Sequence, residues 1–192
     1  LDKEMTDLAV QNRIMAELSE HSFENPKVKI LNEDAFKFLE NAKEYFDVII
    51  IDLPDPNNSS LARLYSKEFY RVVKQKLAQN GIVVTQSTSP FFSPEAYWCI
   101  EKSLKSAGFK YTKPYHTYVP SFGDWGFMLA GNRPIDENSI KINGIKTKFL
   151  DNDSINSLFH IEKDVLRDNI KASTLDKPEI LNYYLNGWRY WN

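Results

Sequence analysis

The chain has 192 residues, enough for one domain with a sizeable core, and 42% of them are hydrophobic, as in a folded globular protein. A formal net charge of −2 argues against a nucleic-acid-binding domain, which would be clearly basic. The single cysteine, Cys99, excludes an internal disulfide and a multi-thiolate metal site, and it suits a reducing compartment. The three histidines are too scattered to predict a metal cluster, and no apolar stretch approaches the length of a membrane span.

The first quarter of the chain reads as two helices around a short strand. Apolar residues recur at helical spacing over residues 3–20 and predict a surface helix. Residues 28–32 read as a strand, and residues 33–42 as a helix that Asp34 can cap. Because the sequence starts without Met and runs directly into the helical pattern, we interpret it as the later part of a longer protein.

The middle of the chain alternates strands and helices at short spacing. The continuous β-branched run of residues 46–52 is typical of a central parallel strand, buried on both faces. The predicted elements after it are a helix over 66–77 with Ser66 as its N-cap, a strand over 81–86, a helix over 93–108, and strands near 109–119 and 125–131. Alternation of this kind predicts an α/β fold with a parallel sheet covered by helices. The last two strands have no helix between them, which predicts an antiparallel edge strand.

The composition changes after Asn132. We therefore expect a catalytic core over residues 1–132 and a C-terminal extension over 133–192 that packs on the core or on a dimer partner. The extension reads as a short hairpin and a helix, followed by an aromatic-rich end. Its last aromatic residues, Trp188, Tyr190 and Trp191, are interpreted as an interface surface or as the final part of the core.

Polar residues follow several of the predicted strands. In open α/β sheets ligands bind outside the carboxyl ends of the strands, where Asp2, Asp34, Asp52 and Gln86 are expected. Taken alone, Asp2 and Asp34 are more simply helix N-caps, and Asp55 before Pro56 is equally consistent with turn chemistry. Asp52 is different, because a carboxylate that ends a buried strand must be solvated, paired or functional.

Two carboxylates three residues apart, Asp52 and Asp55, suit the binding and deprotonation of an amine. One can accept the proton of the attacking nitrogen, and its neighbour can hold that nitrogen in line with an electrophilic carbon. Tyr65, Tyr118 and His116 could line an amine channel, since aromatic faces attract cations, although ordinary packing is the more frequent role of such residues. Cys99 is most simply a buried apolar residue.

Several motifs together resemble the spermidine/spermine synthase family of aminopropyltransferases. The segment DLPDPNNSSLARLYSKEFY (52–70) is similar to the strand end D-x-x-D-P and the helix start of that family. The other similar segments are NEDAFKFL (32–39), GIVVTQST (81–88), PSFGDWGFML (120–129) and KFLDNDSINSLFHIEKDV (148–165). The last two resemble the bacterial branch that carries an N-terminal membrane region.

The resemblance implies a Rossmann-like, class I methyltransferase-type fold and transfer of an aminopropyl group from decarboxylated S-adenosylmethionine to a putrescine-like diamine. No metal or other cofactor is implied. Asp52 would be the general base, and the amine would be bound by Asp55 and Gln86, with Asp124 at the rim of the pocket. Tyr65 and Tyr118 join the predicted amine site because of their aromatic faces, not because of the resemblance. Asp2, Asp34 and Ala35 would bind the donor. It further implies a homodimer, and a cytoplasmic catalytic domain in a protein anchored in the inner membrane.

The sequence also departs from the family pattern. The family's first strand and Gly-rich loop would precede Leu1, and the chain contains no G-x-G-x-x-G. A pocket tyrosine is replaced near Phe122, QST stands where an acid is frequent, and Arg63 lies in a loop that usually carries an acid. Two alternatives therefore stay open: an S-adenosylmethionine-dependent methyltransferase, which the pair of acids disfavours, and a non-catalytic adenosyl-binding or dimerisation module.

Overall fold

The structure is a computed structural model that describes residues 2–189 and 191, and its mixed sheet with flanking helices confirms the α/β class. The helices are α1 Lys3–Gln11, α2 Arg13–Leu18, α3 Ala35–Asn41, α4 Ser59–Ala62, α5 Lys67–Lys76, α6 Pro94–Ser106 and α7 Glu179–Arg189. The strands are β1 Phe46–Ile51, β2 Leu77–Gln86, β3 Tyr111–Val119 and β4 Gly123–Gly131. The chain divides into two compact units, one ending at Asn41 and one beginning at Ala42.

Within the first unit, the helix predicted over residues 3–20 is broken into α1 and α2. The side chain of Asn12 accepts hydrogen bonds from the backbone N–H groups of Ile14 and Met15, so it caps a second helix instead of continuing the first. The strand predicted over residues 28–32 is wrong: this segment pairs with no other strand in the described part of the unit. Helix α3 does begin after Asp34, as the sequence predicts.

The second unit contains the sheet, in the order β1-β2-β4-β3. β1 runs parallel to β2, whereas β4 is antiparallel to both β2 and β3. The predicted antiparallel edge strand is therefore confirmed in β3. The sequence predicts that the strand over residues 46–52 is central and buried on both faces, and the structure shows otherwise. In the described residues β1 pairs only with β2, and the side chains of Val48 and Ile50, which share one face of the strand, are 58% and 73% exposed.

Two helices cover the sheet with apolar side chains. Helix α5 begins where Ser66 Oγ accepts the N–H of Phe69, and it buries Phe69, Tyr70 and Val73. Helix α6 buries the larger apolar set Ala96, Tyr97, Cys99, Ile100 and Leu104. The predicted Ser66 cap is thus confirmed, and Cys99 is a buried apolar residue as expected.

Helix α7 packs against α6 through a close approach at Gly187. A Cβ atom at Gly187 would lie 2.5 Å from Ser93 Oγ, so a larger residue would separate the two helices. Ser93 Oγ in turn donates a hydrogen bond to the carbonyl of Tyr183, and this explains why Ser93 does not cap α6 with its side chain. The predicted C-terminal helix is confirmed.

The hairpin predicted in the extension is wrong. Residues 133–178 form short 3₁₀ turns at Glu137–Ser139, Ile155–Phe159 and Lys163–Val165, and no strand. Tyr190 of the terminal aromatic cluster lies outside the described residues. The domain boundary near residue 132 stays a prediction. None of the helices in residues 2–189 is long and apolar enough to cross a lipid bilayer.

Candidate active site

The parallel register of β1 and β2 brings the ends of the two strands together. Ile51 lies opposite Thr85, so Asp52 and Gln86 follow their strands at the same edge of the sheet. β4 continues this edge, because Phe127 lies opposite Gln86. Polar residues that are far apart in the sequence therefore meet where ligands bind in α/β sheets.

A cavity of about 1090 Å³ lies at this edge, entirely within the second unit. It combines two carboxylates at one end with a mostly aromatic wall. The lining residues are Asp52, Leu53, Pro54, Asp55, Gln86, Phe92, Ser121, Phe122, Trp125, Tyr184, Leu185, Trp188 and Arg189. Such a volume lies at the upper end of what small-molecule sites show, about 1,000 Å³.

The two carboxylates of the cavity have different surroundings. Asp52 is exposed, and its side chain accepts no hydrogen bond from the residues that the structure describes. Asp55 is half-buried and is held at both oxygens: Oδ1 accepts from Gln86 Nε2 at 2.9 Å and Oδ2 from the Tyr184 hydroxyl at 3.1 Å. Burial raises the pKa of Asp55, and the two hydrogen bonds oppose that rise.

Gln86 is oriented by the backbone of the turn that follows β2. Its Oε1 atom accepts the N–H of Thr88, so Nε2 must face the other way. There it meets Leu53 O at 2.9 Å, Asp55 Oδ1 at 2.9 Å and Tyr65 Oη at 3.0 Å. The amide thus connects the end of β2 with the loop that carries both acids.

Tyr65 holds this loop in place through hydrogen bonds to its backbone. The side chain is fully buried, and its hydroxyl donates to the carbonyls of Leu53 and Pro54 at 3.1 and 3.0 Å. Burial raises the pKa of Tyr65 well above its ordinary value, so the hydroxyl stays a donor at neutral pH. Tyr65 is not among the described residues lining the cavity, and direct contact with an amine stays a prediction.

The aromatic wall comes from three separate parts of the chain. Phe92 precedes α6 and lies 5.1 Å from Trp188 of α7, measured between ring centroids. Phe122 and Trp125, in the turn and first residues of β4, are 5.0 Å apart. These faces suit the methylene chain and the ammonium groups of an aliphatic amine.

The sequence reasoning missed the contribution of α7 to the cavity. Tyr184, Leu185 and Trp188 lie on one face of the helix, and only Trp188 was considered, as an interface or core residue. The spacing of positions 184, 185 and 188 is the available sequence signal, since residues three and four apart share a helix face.

The cavity keeps its negative charge available to a ligand. Neither Asp52 nor Asp55 forms an ion pair with any residue in the described part of the chain. The cationic lining residue is Arg189, at the exposed end of α7. A cationic amine can therefore bind the two acids without displacing an internal cation.

Two of the predicted amine-binding residues lie elsewhere. The side chain of Tyr118, on β3, is 67% exposed. The carboxylate of Asp124 forms a hydrogen bond of 2.6 Å between Oδ1 and His116 Nδ1. Neither is among the described residues that line the cavity. Their roles in binding the amine stay predictions.

The predicted donor-binding residues lie in the first unit. Asp2 Oδ1 accepts the N–H of Glu4, and Asp34 Oδ1 accepts the N–H groups of Phe36 and Lys37, so both acids are helix N-caps. Ala35 is the first residue of α3. A cap carboxylate can also bind a ligand with its remaining lone pairs, and the donor-binding role stays a prediction. Over residues 2–189 and 191, no group of three His, Cys, Asp or Glu side chains could hold a metal ion.

An α/β domain with paired acids and an aromatic cavity at its strand ends has the features of a small-molecule binding site. Residues 1–141 match the model of the spermine/spermidine synthase domain, and the chain belongs to this family. Family membership confirms the resemblance drawn from the strand-end motifs.

Relatives with assigned names agree with this membership. The chain is 39% identical over 188 residues to polyamine aminopropyltransferase 2 of Ralstonia nicotianae and 40% identical over 188 residues to the polyamine aminopropyltransferase of Leptospira interrogans. Each match covers 98% of this chain but only 37% of the relative. The fold is similar to that of spermidine synthase from Thermotoga maritima, with a TM-score of 0.72 and 20% identity over 85% of this chain and 56% of that one.

Proposed function

We propose that the full-length protein transfers an aminopropyl group from decarboxylated S-adenosylmethionine to a putrescine-like diamine. The observation that carries the proposal is the cavity lined by Asp52 and Asp55, neither of which forms an ion pair within the described residues. Family membership and the names of the relatives support the same activity.

The proposed reaction is a direct displacement at carbon. The ammonium of the diamine gives a proton to the exposed carboxylate of Asp52, and this frees the nitrogen lone pair. The nitrogen then attacks the aminopropyl carbon bonded to the sulfonium. As the new C–N bond forms, the C–S bond breaks, and its electron pair stays on sulfur in neutral methylthioadenosine. Because a neutral thioether is a good leaving group, the step requires no metal ion.

Asp55 has the complementary role of holding the nitrogen in line. Its two oxygens are fixed by Gln86 and Tyr184, so the carboxylate has a defined direction before the substrate arrives. The aromatic wall then contacts the methylene chain of the amine. Positioning of this kind lowers the barrier by removing freedom of motion before the chemical step.

The experiment that tests the proposal compares two donors with the full-length protein. Decarboxylated and ordinary S-adenosylmethionine are each incubated with a panel of amines, and the products are identified by mass spectrometry. We expect an aminopropylated diamine with the decarboxylated donor and no product with the other. Methylated amines would instead indicate a methyltransferase, and donor binding without any product would indicate a non-catalytic module.

We also infer a homodimer whose catalytic domain lies in the cytoplasm. The dimer is what the family resemblance implies, and a single buried cysteine suits a reducing compartment. The N-terminal membrane region expected from the resemblance stays a prediction.

A further inference from the structure

Helix α7 lies outside the segment that matches the family model, yet it forms one wall of the cavity. The family match ends at residue 141, and α7 begins at Glu179. From this helix, the Tyr184 hydroxyl reaches Asp55 across 129 positions of sequence. A residue of the C-terminal extension therefore touches an acid of the proposed site.

We propose that Tyr184 is the positioning residue that fixes Asp55 for the amine, and that the aminopropyl transfer proposed above depends on it. The two oxygens of Asp55 accept hydrogen bonds from different residues. Gln86 Nε2 holds Oδ1, and the Tyr184 hydroxyl holds Oδ2 at 3.1 Å. A carboxylate held at both oxygens cannot rotate about its terminal torsion, so its free lone pairs keep one direction.

The ring of Tyr184 is itself held in place. It lies 6.0 Å from the ring of Trp188, one turn further along α7, measured between centroids. Gly187 lets this helix approach Ser93 closely, so the position of the hydroxyl is set by helix packing. The arrangement distinguishes Tyr184 from Tyr183 on the same helix, which lines a separate cavity and whose hydroxyl lies 3.4 Å from the backbone nitrogen of Lys171.

The electrostatic consequence follows from the surroundings of Asp55. The titratable groups that interact with Asp55 are Tyr65 beside the loop and Tyr184 on α7, and the charged residues Asp52 and Arg189 line the same cavity. The hydrogen bond from Tyr184 favours the ionised carboxylate and so opposes the rise that burial causes in the pKa of Asp55. Loss of this bond should raise that pKa further.

The test is Tyr184→Phe in the full-length protein, with Tyr183→Phe as the matched control. Phe keeps the ring beside Trp188 and removes only the hydroxyl. The titration of the Asp55 carboxyl is followed by ¹³C NMR in the unliganded protein, and kcat/KM is measured for the amine and for the donor across pH. The NMR readout requires no turnover, so it tests the inference even if the proposed reaction is wrong.

We expect the Asp55 titration to move to higher pH in Tyr184→Phe alone. We also expect kcat/KM for the amine to fall about tenfold or more, with the acidic limb of its profile moved to higher pH and the KM for the donor unchanged. An Asp55 titration that is the same in both variants and the parent would overturn the inference. If Tyr184→Phe shows the NMR shift but the parent shows no aminopropyl transfer, only the proposed function is contradicted.

Discussion

Gln86 shows how one side chain can organise a site. Its carbonyl oxygen accepts the backbone N–H of Thr88, a residue with a φ of 56° in the left-handed region. Thr88 is held there from a second side, because its own carbonyl accepts the N–H of Gly126. These two hydrogen bonds offset the cost of the backbone conformation at Thr88. The first of them also turns the Gln86 amide toward Asp55.

We therefore expect Gln86→Glu to impair use of the amine. The substitution replaces the donor on Asp55 with an acceptor that carries the same charge as Asp55. A hydrogen bond to a charged group contributes about 1.5–3 kcal/mol, so kcat/KM for the amine should fall roughly tenfold to a hundredfold. Steady-state kinetics with saturating donor measures the loss. Gln75→Glu, on the exposed side of α5, is the control, and equal kinetics for the two variants would disprove the role of the amide.

At the scale of elements, helix starts are the most predictable features of this chain. Asp34 and Ser66 cap α3 and α5 as their sequences indicate, because a cap needs only a side chain and the next two or three N–H groups. The break at Asn12 uses the same local chemistry, but the apolar spacing continues through it and hides the new start. The segment 28–32 fails for the opposite reason, since a strand requires a partner that local sequence does not specify.

The β3–β4 hairpin is joined to the C-terminal extension through His116. Nδ1 lies 2.6 Å from Asp124 Oδ1, and Nε2 lies 2.7 Å from the carbonyl of His160, with Glu162 Oε2 at 3.6 Å. Since both neighbours of the ring are acceptors, only the doubly protonated imidazolium satisfies both. Burial lowers the pKa of His116, but the bonds to Asp124 and His160 and the charge of Glu162 outweigh it and raise the pKa overall.

This contact predicts a pH dependence of stability. A pKa raised by folding contributes stability that is fully present below the unfolded-state pKa and is lost as the pH rises through the folded-state pKa. The free energy of unfolding, measured in urea between about pH 6 and about pH 9, should therefore decline with pH more steeply in the parent than in His116→Gln. His160→Gln is the control, because only its backbone carbonyl takes part. Parallel declines in the parent and in His116→Gln would refute the contact.

In the whole molecule, the acidic end of the cavity was predictable, and the part of the aromatic wall that α7 supplies was not. Asp52, Asp55 and Gln86 follow their strands directly, and the strand-end rule needs only the order of elements along the chain. Tyr184 and Trp188 reach the same cavity from the far end of the chain, through packing of α7 on α6. No local pattern specifies a contact over such a separation. For the same reason, the burial predicted on both faces of β1 did not follow from its composition.

The carboxylate of Asp52 is expected to act as a base in the intact protein. An exposed carboxylate that accepts no hydrogen bond from the described residues is free to take a proton from the amine. Asparagine has the same shape but cannot act as a base, and general-base catalysis contributes about a hundredfold to ten-thousandfold in rate. Asp47→Asn makes the same chemical change on exposed β1 and lies outside the described lining of the cavity.

The most direct test is the rate of aminopropyl transfer to putrescine by the full-length parent, Asp52→Asn and Asp47→Asn, with donor affinity measured alongside by calorimetry. We expect Asp52→Asn to lose turnover by at least about a hundredfold while it binds decarboxylated S-adenosylmethionine as the parent does, and Asp47→Asn to match the parent in both. Turnover in Asp52→Asn equal to that of the parent would contradict this expectation.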